Sequence, residues 1–210
     1  MNDTMLPTIF IVDDDPSVLK ALARLLRSAG LSASTFTSSQ EFLDHHDQNA
    51  PGCLVLDVAM PGINGLELQL ALAAQGSRLP VIFLTGNGDI PMSVRAIKQG
   101  AVDFLTKPVN DSDLIAAIHD AIEKDRVARQ ARATLSELQQ LLAKLTPRER
   151  EVLSHVVSGK LNRQIAAELG TVEKTIKVHR ANLKRKLNVQ SLAELVKLAE
   201  RLGVTSSPQE

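Results

Sequence analysis

Cys53-Leu54-Val55-Leu56-Asp57-Val58-Ala59-Met60-Pro61-Gly62 is the stretch whose reading decides the fold. Residues 53–56 are an unbroken apolar run of the kind shown by a strand buried on both faces. The run ends in a carboxylate, Asp57, and Pro61-Gly62 marks a turn soon after. A buried strand that delivers an acid to its C-terminal end places it where open α/β sheets bind ligands. Taken alone, Asp57 reads as a cap on the following turn. The partners supplied by the surrounding sequence make it a functional candidate.

Upstream, residues 8–12 form a short apolar strand running into Asp13-Asp14-Asp15-Pro16, where Asp15 suits an N-cap and Pro16 the first helical turn. The helix that follows carries Leu19, Leu22, Ala23, Leu25 and Leu26 on one stripe and stops at Gly30. Residues 31–36 predict a second strand, and Ser38-Ser39-Gln40-Glu41 is a capping box opening a helix to about Asp47. Downstream of Asp57 a third helix starts over residues 64–67 and runs to about Gln75. Residues 80–84 give a fourth strand ending at Thr85-Gly86, residues 89–99 a fourth helix, and residues 102–105 a fifth strand. Lys107-Pro108 comes next, then a helix from about Asp111. Five alternations of strand and helix predict a doubly wound α/β fold with five parallel strands.

Right-handed crossovers put every strand-to-helix loop on one edge of such a sheet. Asp13, Asp14, Asp57, Thr85 and Lys107 all fall at strand ends, so they converge there. Crowded carboxylates repel one another, and a divalent cation is the usual physical remedy. Oxygen ligands point to Mg²⁺, which keeps several waters and takes one or two carboxylates. A carboxylate beside Mg²⁺, a lysine and a hydroxyl is equipped to attack a phosphoryl group and to hold the product.

The motifs Ile11-Val12-Asp13-Asp14-Asp15, Leu56-Asp57-Val58-Ala59-Met60-Pro61-Gly62, Leu84-Thr85-Gly86 and Phe104-Leu105-Thr106-Lys107-Pro108, in this order and spacing, resemble the CheY-like receiver domain of two-component response regulators. The resemblance covers residues 6 to about 122. It implies that Asp57 is the phosphoacceptor, taking its phosphoryl group from a sensor histidine kinase. Asp13, Asp14, Asp57 and the backbone carbonyl of Ala59 would hold Mg²⁺. Thr85 would be the switch hydroxyl, Lys107 would contact the phosphoryl group, and Phe104 would stand in the switch aromatic's place. A cis Lys107-Pro108 bond is implied as well. Residues 86–104, Gly86-Asn87-Gly88-Asp89 through Val102-Asp103-Phe104, resemble the FixJ branch, and within it the regulators of aromatic-compound catabolism. Phe104 lacks a hydroxyl, and Ala59 offers no side-chain help to an attacking water.

From residue 111 to 145 there is neither Pro nor Gly. Ala128, Ala131, Leu135, Leu138, Leu142 and Leu145 recur at alternating steps of three and four, a heptad seam, which predicts a long helical linker continuing the fifth receiver helix. Asp125, Arg126, Arg129 and Arg132 are expected to keep its other faces wet.

Thr146-Pro147-Arg148-Glu149 is a capping box with Pro at the first helical position. Val152, Leu153, Val156 and Val157 follow as an apolar face, Gly159 ends the helix, and residues 161–169 form another, closed by Gly170. A third runs from about Glu173 to Leu187, and Ser191 caps a fourth reaching about Leu202. Short helices around a Gly-containing turn are the helix-turn-helix pattern. Val172, Ile176, Leu183 and Leu187 are the expected core stripe of the third helix, with His179 near it as a packed, satisfied histidine. Lys174, Lys177, Val178, Ala181, Lys184 and Arg185 lie opposite, on the element such motifs insert into the major groove. The segments Leu145-Thr146-Pro147-Arg148-Glu149, Ile165-Ala166-Ala167-Glu168-Leu169-Gly170 and Lys174-Thr175-Ile176-Lys177-Val178-His179-Arg180 resemble the LuxR-type domain of the NarL/FixJ family. That resemblance implies base-facing positions at Lys177, Val178 and Ala181, and phosphate neighbours at Lys174, Thr175, Arg180 and Lys184.

Charge supports the division. Residues 1–121 carry 7 Lys+Arg against 14 Asp+Glu, a net of −7, while residues 144–210 carry 13 against 7, a net of +6. The basic half suits a polyanion such as promoter DNA. With 5 Phe and neither Trp nor Tyr, nucleic-acid binding does not rest on aromatic platforms. One cysteine rules out an internal disulfide and a Cys-rich metal site. No apolar run approaches the roughly 20 residues of a membrane span, so a cytoplasmic protein is expected. The reading is therefore a receiver over residues 1–122, a helical linker over 123–143 and an all-α helix-turn-helix domain over 144–210. Its function would be kinase-dependent transcription regulation, with dimerisation on phosphorylation and RNA polymerase as a further partner. A dehalogenase-type aspartyl phosphatase is disfavoured, because that family wants a second Asp where Ala59 stands. A receiver that never takes phosphate is disfavoured by the full set of Asp13, Asp14, Asp57, Thr85 and Lys107.

Overall fold

The computed structural model of the chain describes residues 6–86 and 90–201. Two compact units divide it, one ending at Arg129 and the other beginning at Gln130. In the first, strands β1 (Thr8–Val12), β2 (Ser32–Phe36), β3 (Gly52–Asp57), β4 (Val81–Thr85) and β5 (Asp103–Thr106) alternate with helices α1 (Pro16–Ser28), α2 (Ser39–His45), α3 (Gly65–Ala74) and α4 (Ile90–Lys98), and helix α5 (Asp111–Ala143) begins there and runs on past Arg129. All pairings are parallel, in the order β2-β1-β3-β4-β5, so β3 is central and is flanked by β1 and β4.

Period-two alternation divides the strand residues between two faces. Ile9, Ile11, Cys53, Val55, Ile82 and Leu84 pack against Leu19, Leu22 and Leu26 of α1 and Leu114, Ile118 and Ala121 of α5. Phe10, Val12, Leu54, Leu56 and Phe83 pack against Phe42 of α2, Leu68 and Leu72 of α3 and Ala96 of α4. Every residue of β3 is buried, as its apolar run requires. The helix starts form as their sequences dictate. Asp15 accepts the Ser17 N–H at 2.8 Å and Ser38 accepts the Glu41 N–H at 3.1 Å. Asn64 and Glu67 complete a reciprocal capping box. Ser17 also donates its hydroxyl to Asp15 Oδ1. These two hydrogen bonds outweigh the opposing effect of burial and hold the Asp15 carboxyl below the usual carboxylate range, with the Val18 N–H and Lys107 adding smaller contributions.

Two glycines are required by close approach. At Gly52, φ is 144° and a Cβ would lie 1.8 Å from the Thr8 carbonyl oxygen. At Gly65 a Cβ would lie 2.2 Å from the carbonyl oxygen of Asp57, so the first turn of α3 rests directly on the main chain of that residue.

The second unit contains α6 (Pro147–Val157), α7 (Asn162–Glu168), α8 (Glu173–Leu187) and α9 (Leu192–Arg201). Leu145, Val152, Leu153, Val156, Ile165, Ile176, Leu183, Leu187 and Leu195 form its core. Asn188 closes α8 in the left-handed conformation at φ 53°, one of the few residues besides glycine that tolerates it. The expected start of the fourth helix at residue 89 and end of the last helix near Leu202 lie outside the described residues.

Three expectations are corrected. Val172 is the N-cap of α8 and is 64% exposed, because a cap residue lies outside the helical stripe. His179 is packed but not satisfied: its Nδ1 is buried with no hydrogen-bond partner among the described residues. The heptad spacing left open whether its seam is buried or partly exposed, and it is partly exposed: Leu138 and Leu145 are buried while Ala128, Ala131 and Leu135 are exposed. Asp125 and Arg129 do not keep a face wet. Asp125 is 3% exposed, and both side chains bond to the segment that leads into β3.

Candidate functional site

The site is built where the sheet's parallel register ends. Val12 pairs with Leu56, and Asp57 with Leu84, so Asp13, Asp57 and Thr85 emerge side by side from β1, β3 and β4. All three are buried despite their polarity. Lys107, following β5, supplies the counter-charge: its Nζ lies 2.6 Å from Asp13 Oδ2 and 2.8 Å from Asp57 Oδ1. Burial by itself would lower the pKa of the Lys107 ammonium. Hydrogen bonds to Asp13 and Asp57 and their charges outweigh that penalty and raise it. The Lys107 N–H donates to the Thr85 carbonyl at 2.7 Å, and the Lys107-Pro108 bond is cis, as the motif implied.

The other oxygens of the two carboxylates face main chain. Asp13 Oδ1 accepts the Asp15 N–H at 2.9 Å, and Asp57 Oδ2 accepts the Ala59 N–H at 2.8 Å. Asp14 and Ala59 are exposed beside them. Among the described residues no three His, Cys, Asp or Glu side chains stand ready as a metal cluster. Lys107 bridges Asp13 and Asp57, and Asp14 is exposed. A carboxylate nonetheless has about four lone-pair sites, of which these bonds use two. The donor set is all oxygen, so it fits a hard dication such as Mg²⁺ better than a softer metal. Phe104 is half-buried on β5, with its ring 6.1 Å from that of Phe83. Beside it, Ile90, Val94 and Ile97 of α4 are 80%, 46% and 46% exposed, whereas Met92 turns inward onto the core.

In the second unit Lys174, Lys177, Val178 and Ala181 are exposed along α8, and Thr175, Arg180 and Lys184 are half-buried. Lys177, Arg180, Ala181 and Lys184 share a shallow concavity of about 290 Å³ with Asn162 of α7. Asn162 was not singled out in the sequence. Its Oδ1 accepts Arg180 Nη1 at 2.9 Å, which fixes the guanidinium between the two helices. Glu173 was missed too, and its carboxylate lies 3.1 Å from Lys177 Nζ. An i, i+4 acid–base spacing was the available signal for it. Lys184 reaches the carbonyl of Gln190 at 3.1 Å.

Fold and site together define an α/β receiver domain joined to a helix-turn-helix domain. Comparison with known proteins bears this out: the response regulator receiver domain matches residues 9–119, and the luxR family of bacterial regulatory proteins matches residues 143–199. The chain belongs to the two-component response regulators with a LuxR-type DNA-binding domain, and it is a transcriptional regulator. It is 44% identical to nodulation protein W of Bradyrhizobium diazoefficiens over 96% of this chain and 89% of that one. To the response regulator TodT of Pseudomonas putida it is 47% identical, over 92% and 86% of the two chains. The structure of the response regulator StyR superposes with a TM-score of 0.89 at 49% identity, covering 93% of this chain and 99% of StyR.

Proposed function

We propose that Asp57 is the phosphoacceptor and that its phosphorylation by a sensor histidine kinase controls promoter binding by α8. The observation that carries this is the Lys107 ammonium shared between Asp13 and Asp57 at the C-terminal edge of the sheet. An Asp57 carboxylate oxygen attacks the phosphorus of a phosphohistidine. The P–N bond breaks, the imidazole departs and takes up a proton, and an acyl phosphate remains on Asp57. Bound Mg²⁺ would neutralise charge on the phosphoryl oxygens, held by Asp13, Asp14, Asp57 and the Ala59 carbonyl. Lys107 then exchanges its carboxylate partners for phosphoryl oxygens, and the Thr85 hydroxyl donates to another of them. Drawing Thr85 inward opens space for Phe104, which reshapes the face formed by α4 and β5. Through that face two chains pair, with Ile90, Val94 and Ile97 as the apolar contact.

Dimerisation presents two copies of α8 to DNA. Lys177, Val178 and Ala181 face bases, while Lys174, Thr175, Arg180 and Lys184 lie near phosphates. RNA polymerase is the natural further partner of such a regulator. The receiver would span residues 1–122, the linker 123–143 and the DNA-binding domain 144–210. No helix among the described residues is long and apolar enough to cross a membrane, which accords with work on DNA in the cytoplasm. Control of aromatic-compound catabolism is the narrower reading, and the likeness to StyR supports it.

Incubation with acetyl phosphate and Mg²⁺, followed by intact-mass spectrometry, tests the reading. One phosphoryl adduct is expected on the wild type and none on Asp57→Asn. An undiminished adduct on that variant overturns the assignment.

A further inference from the structure

Helix α5 is attached to the sheet in two chemically different ways. Up to Ala121 the attachment is apolar, through Leu114, Ala117, Ile118 and Ala121. Past Ile122 apolar contact stops: Val127 is 53% exposed, and Ala128 is exposed as well. Polar bonds take over. Asp125 Oδ2 accepts the Gly52 N–H at 3.0 Å and Arg129 Nε at 2.6 Å. Arg129 also donates from Nη1 to the Asn49 carbonyl at 2.8 Å and from Nη2 to the Ala50 carbonyl at 2.6 Å. One carboxylate and one guanidinium thus bind the N-terminal foot of β3, the strand whose other end carries Asp57.

Two further observations show that this attachment is not close-packed. The other flank of the same helical turn borders a cleft of about 260 Å³, lined by Gln69, Arg78, Lys124, Asp125 and Ala128 among others. Asp125 Oδ1 is also buried without a partner among the described residues. An apolar seam tolerates sliding, whereas a fork of directed bonds holds in one register or releases.

We propose that Asp125 and Arg129 form a releasable clasp that pins the start of the linker helix to the foot of β3, and that opening this clasp frees the linker while the receiver core stays folded. Fixing residues 123–129 to the receiver makes the linker follow movements of β3. The clasp therefore sets how faithfully the receiver's state reaches the DNA-binding half.

Cys53 provides the readout. It is the chain's single cysteine, follows Gly52 directly and is fully buried. Burial, with a smaller contribution from the Asp125 charge, pushes its thiol pKa up to about 12, so the closed state does not react. Labelling of full-length protein with a disulfide reagent then reports opening at the foot of β3. Arg129→Ala is expected to speed labelling at least tenfold, and Arg129→Lys, which keeps the charge but loses the planar fork, by less. Arg126→Ala is the control, since among the described residues Arg126 pairs with exposed Glu123 and not with the foot of β3, so it should leave the rate unchanged. Low urea separates local from global opening: labelling through the clasp should barely respond to it. Hydrogen exchange should accelerate over residues 49–53 and 122–132 and not in β4. If Arg129→Ala labels like wild type, or if its acceleration follows the urea dependence of whole-receiver unfolding, the clasp is refuted. A second arm, which rests on the phosphorylation proposed above, compares DNA affinity with and without beryllofluoride. The ratio should fall by about half or more in Arg129→Ala, and a full ratio there refutes the transmitting role. No beryllofluoride response in the wild type would count against the phosphorylation reading, leaving the labelling result to decide the clasp.

Discussion

Lys107 stands 2.8 Å from Asp57 Oδ1 while also bonded to Asp13, so one ammonium holds two nearly buried carboxylates in place. Removing it leaves like charges facing each other in a poorly hydrated pocket. Lys107→Met should therefore cost stability, by about 2 kcal/mol. That is below the ~3–5 kcal/mol of a fully buried pair, because the ammonium keeps some contact with solvent. Added Mg²⁺ should restore part of the loss by replacing the missing cation. Urea midpoints by far-UV circular dichroism, with and without Mg²⁺, measure both effects. Equal midpoints for variant and wild type would show that the pairing carries no stability.

The second unit gives a pH-dependent prediction. Glu149 is buried and would on that account titrate high. Its hydrogen bonds with Lys186 and with the Thr146 hydroxyl and N–H, together with the Lys186 charge, outweigh burial and hold its pKa below the ordinary 4.5. A depressed carboxylate stabilises the fold above its unfolded pKa and loses that contribution as pH falls through the folded value. Glu149→Gln should cost about 2 kcal/mol at neutral pH, the order of a charged hydrogen bond and a cap together. The gap between variant and wild type should narrow below pH 4.5. A gap independent of pH would mean that the carboxylate's charge is not what stabilises.

Glu173 restrains Lys177 on the exposed side of α8 that is proposed to face DNA. Glu173→Gln should release that lysine and remove a negative charge from the interface. Binding to random DNA should tighten, and the slope of log affinity against log salt should steepen by up to about one unit. Lys184→Ala should flatten it by about one unit, and Lys177→Ala should reduce discrimination by ~1–3 kcal/mol. Salt titrations on cognate and random duplexes distinguish the three. A slope unchanged in all of them would remove α8 from the interface.

The exposed apolar face of α4 makes a prediction about assembly. Beryllofluoride should shift the protein from monomer to dimer, and Val94→Glu or Ile97→Glu should block the shift without unfolding the chain. Thr85→Ala should weaken the response by removing the hydroxyl proposed to sense the phosphoryl group. Sedimentation velocity reads all of these. Full dimerisation of Val94→Glu and Ile97→Glu would place the contact elsewhere.

Much of the fold was legible because its signals are local. The apolar run before Asp57, the capping residues Ser38, Asn64 and Thr146, and the stops at Gly30 and Gly159 each depend on a few adjacent residues. Asp13, Asp57 and Lys107 were legible for a topological reason: parallel crossovers deliver every strand end to one edge. The clasp was not legible. Asp125 and Arg129 have the spacing of an ordinary solvated pair, and their partners Asn49, Ala50 and Gly52 contribute only main-chain atoms, which no side-chain pattern reveals. Val172 misled because it continues the α8 stripe by one residue past the point where the helix begins.

The Cβ-sized gap missing at Gly65 has a genetic consequence. Its obstacle is the main chain of Asp57, so no trimming of a neighbouring side chain would make room for even an alanine there. A screen for alleles deaf to the upstream signal should recover substitutions at this codon. Their bearers would keep every reacting group, and second-site suppressors should be scarce, because a displaced backbone has no single residue whose change restores it.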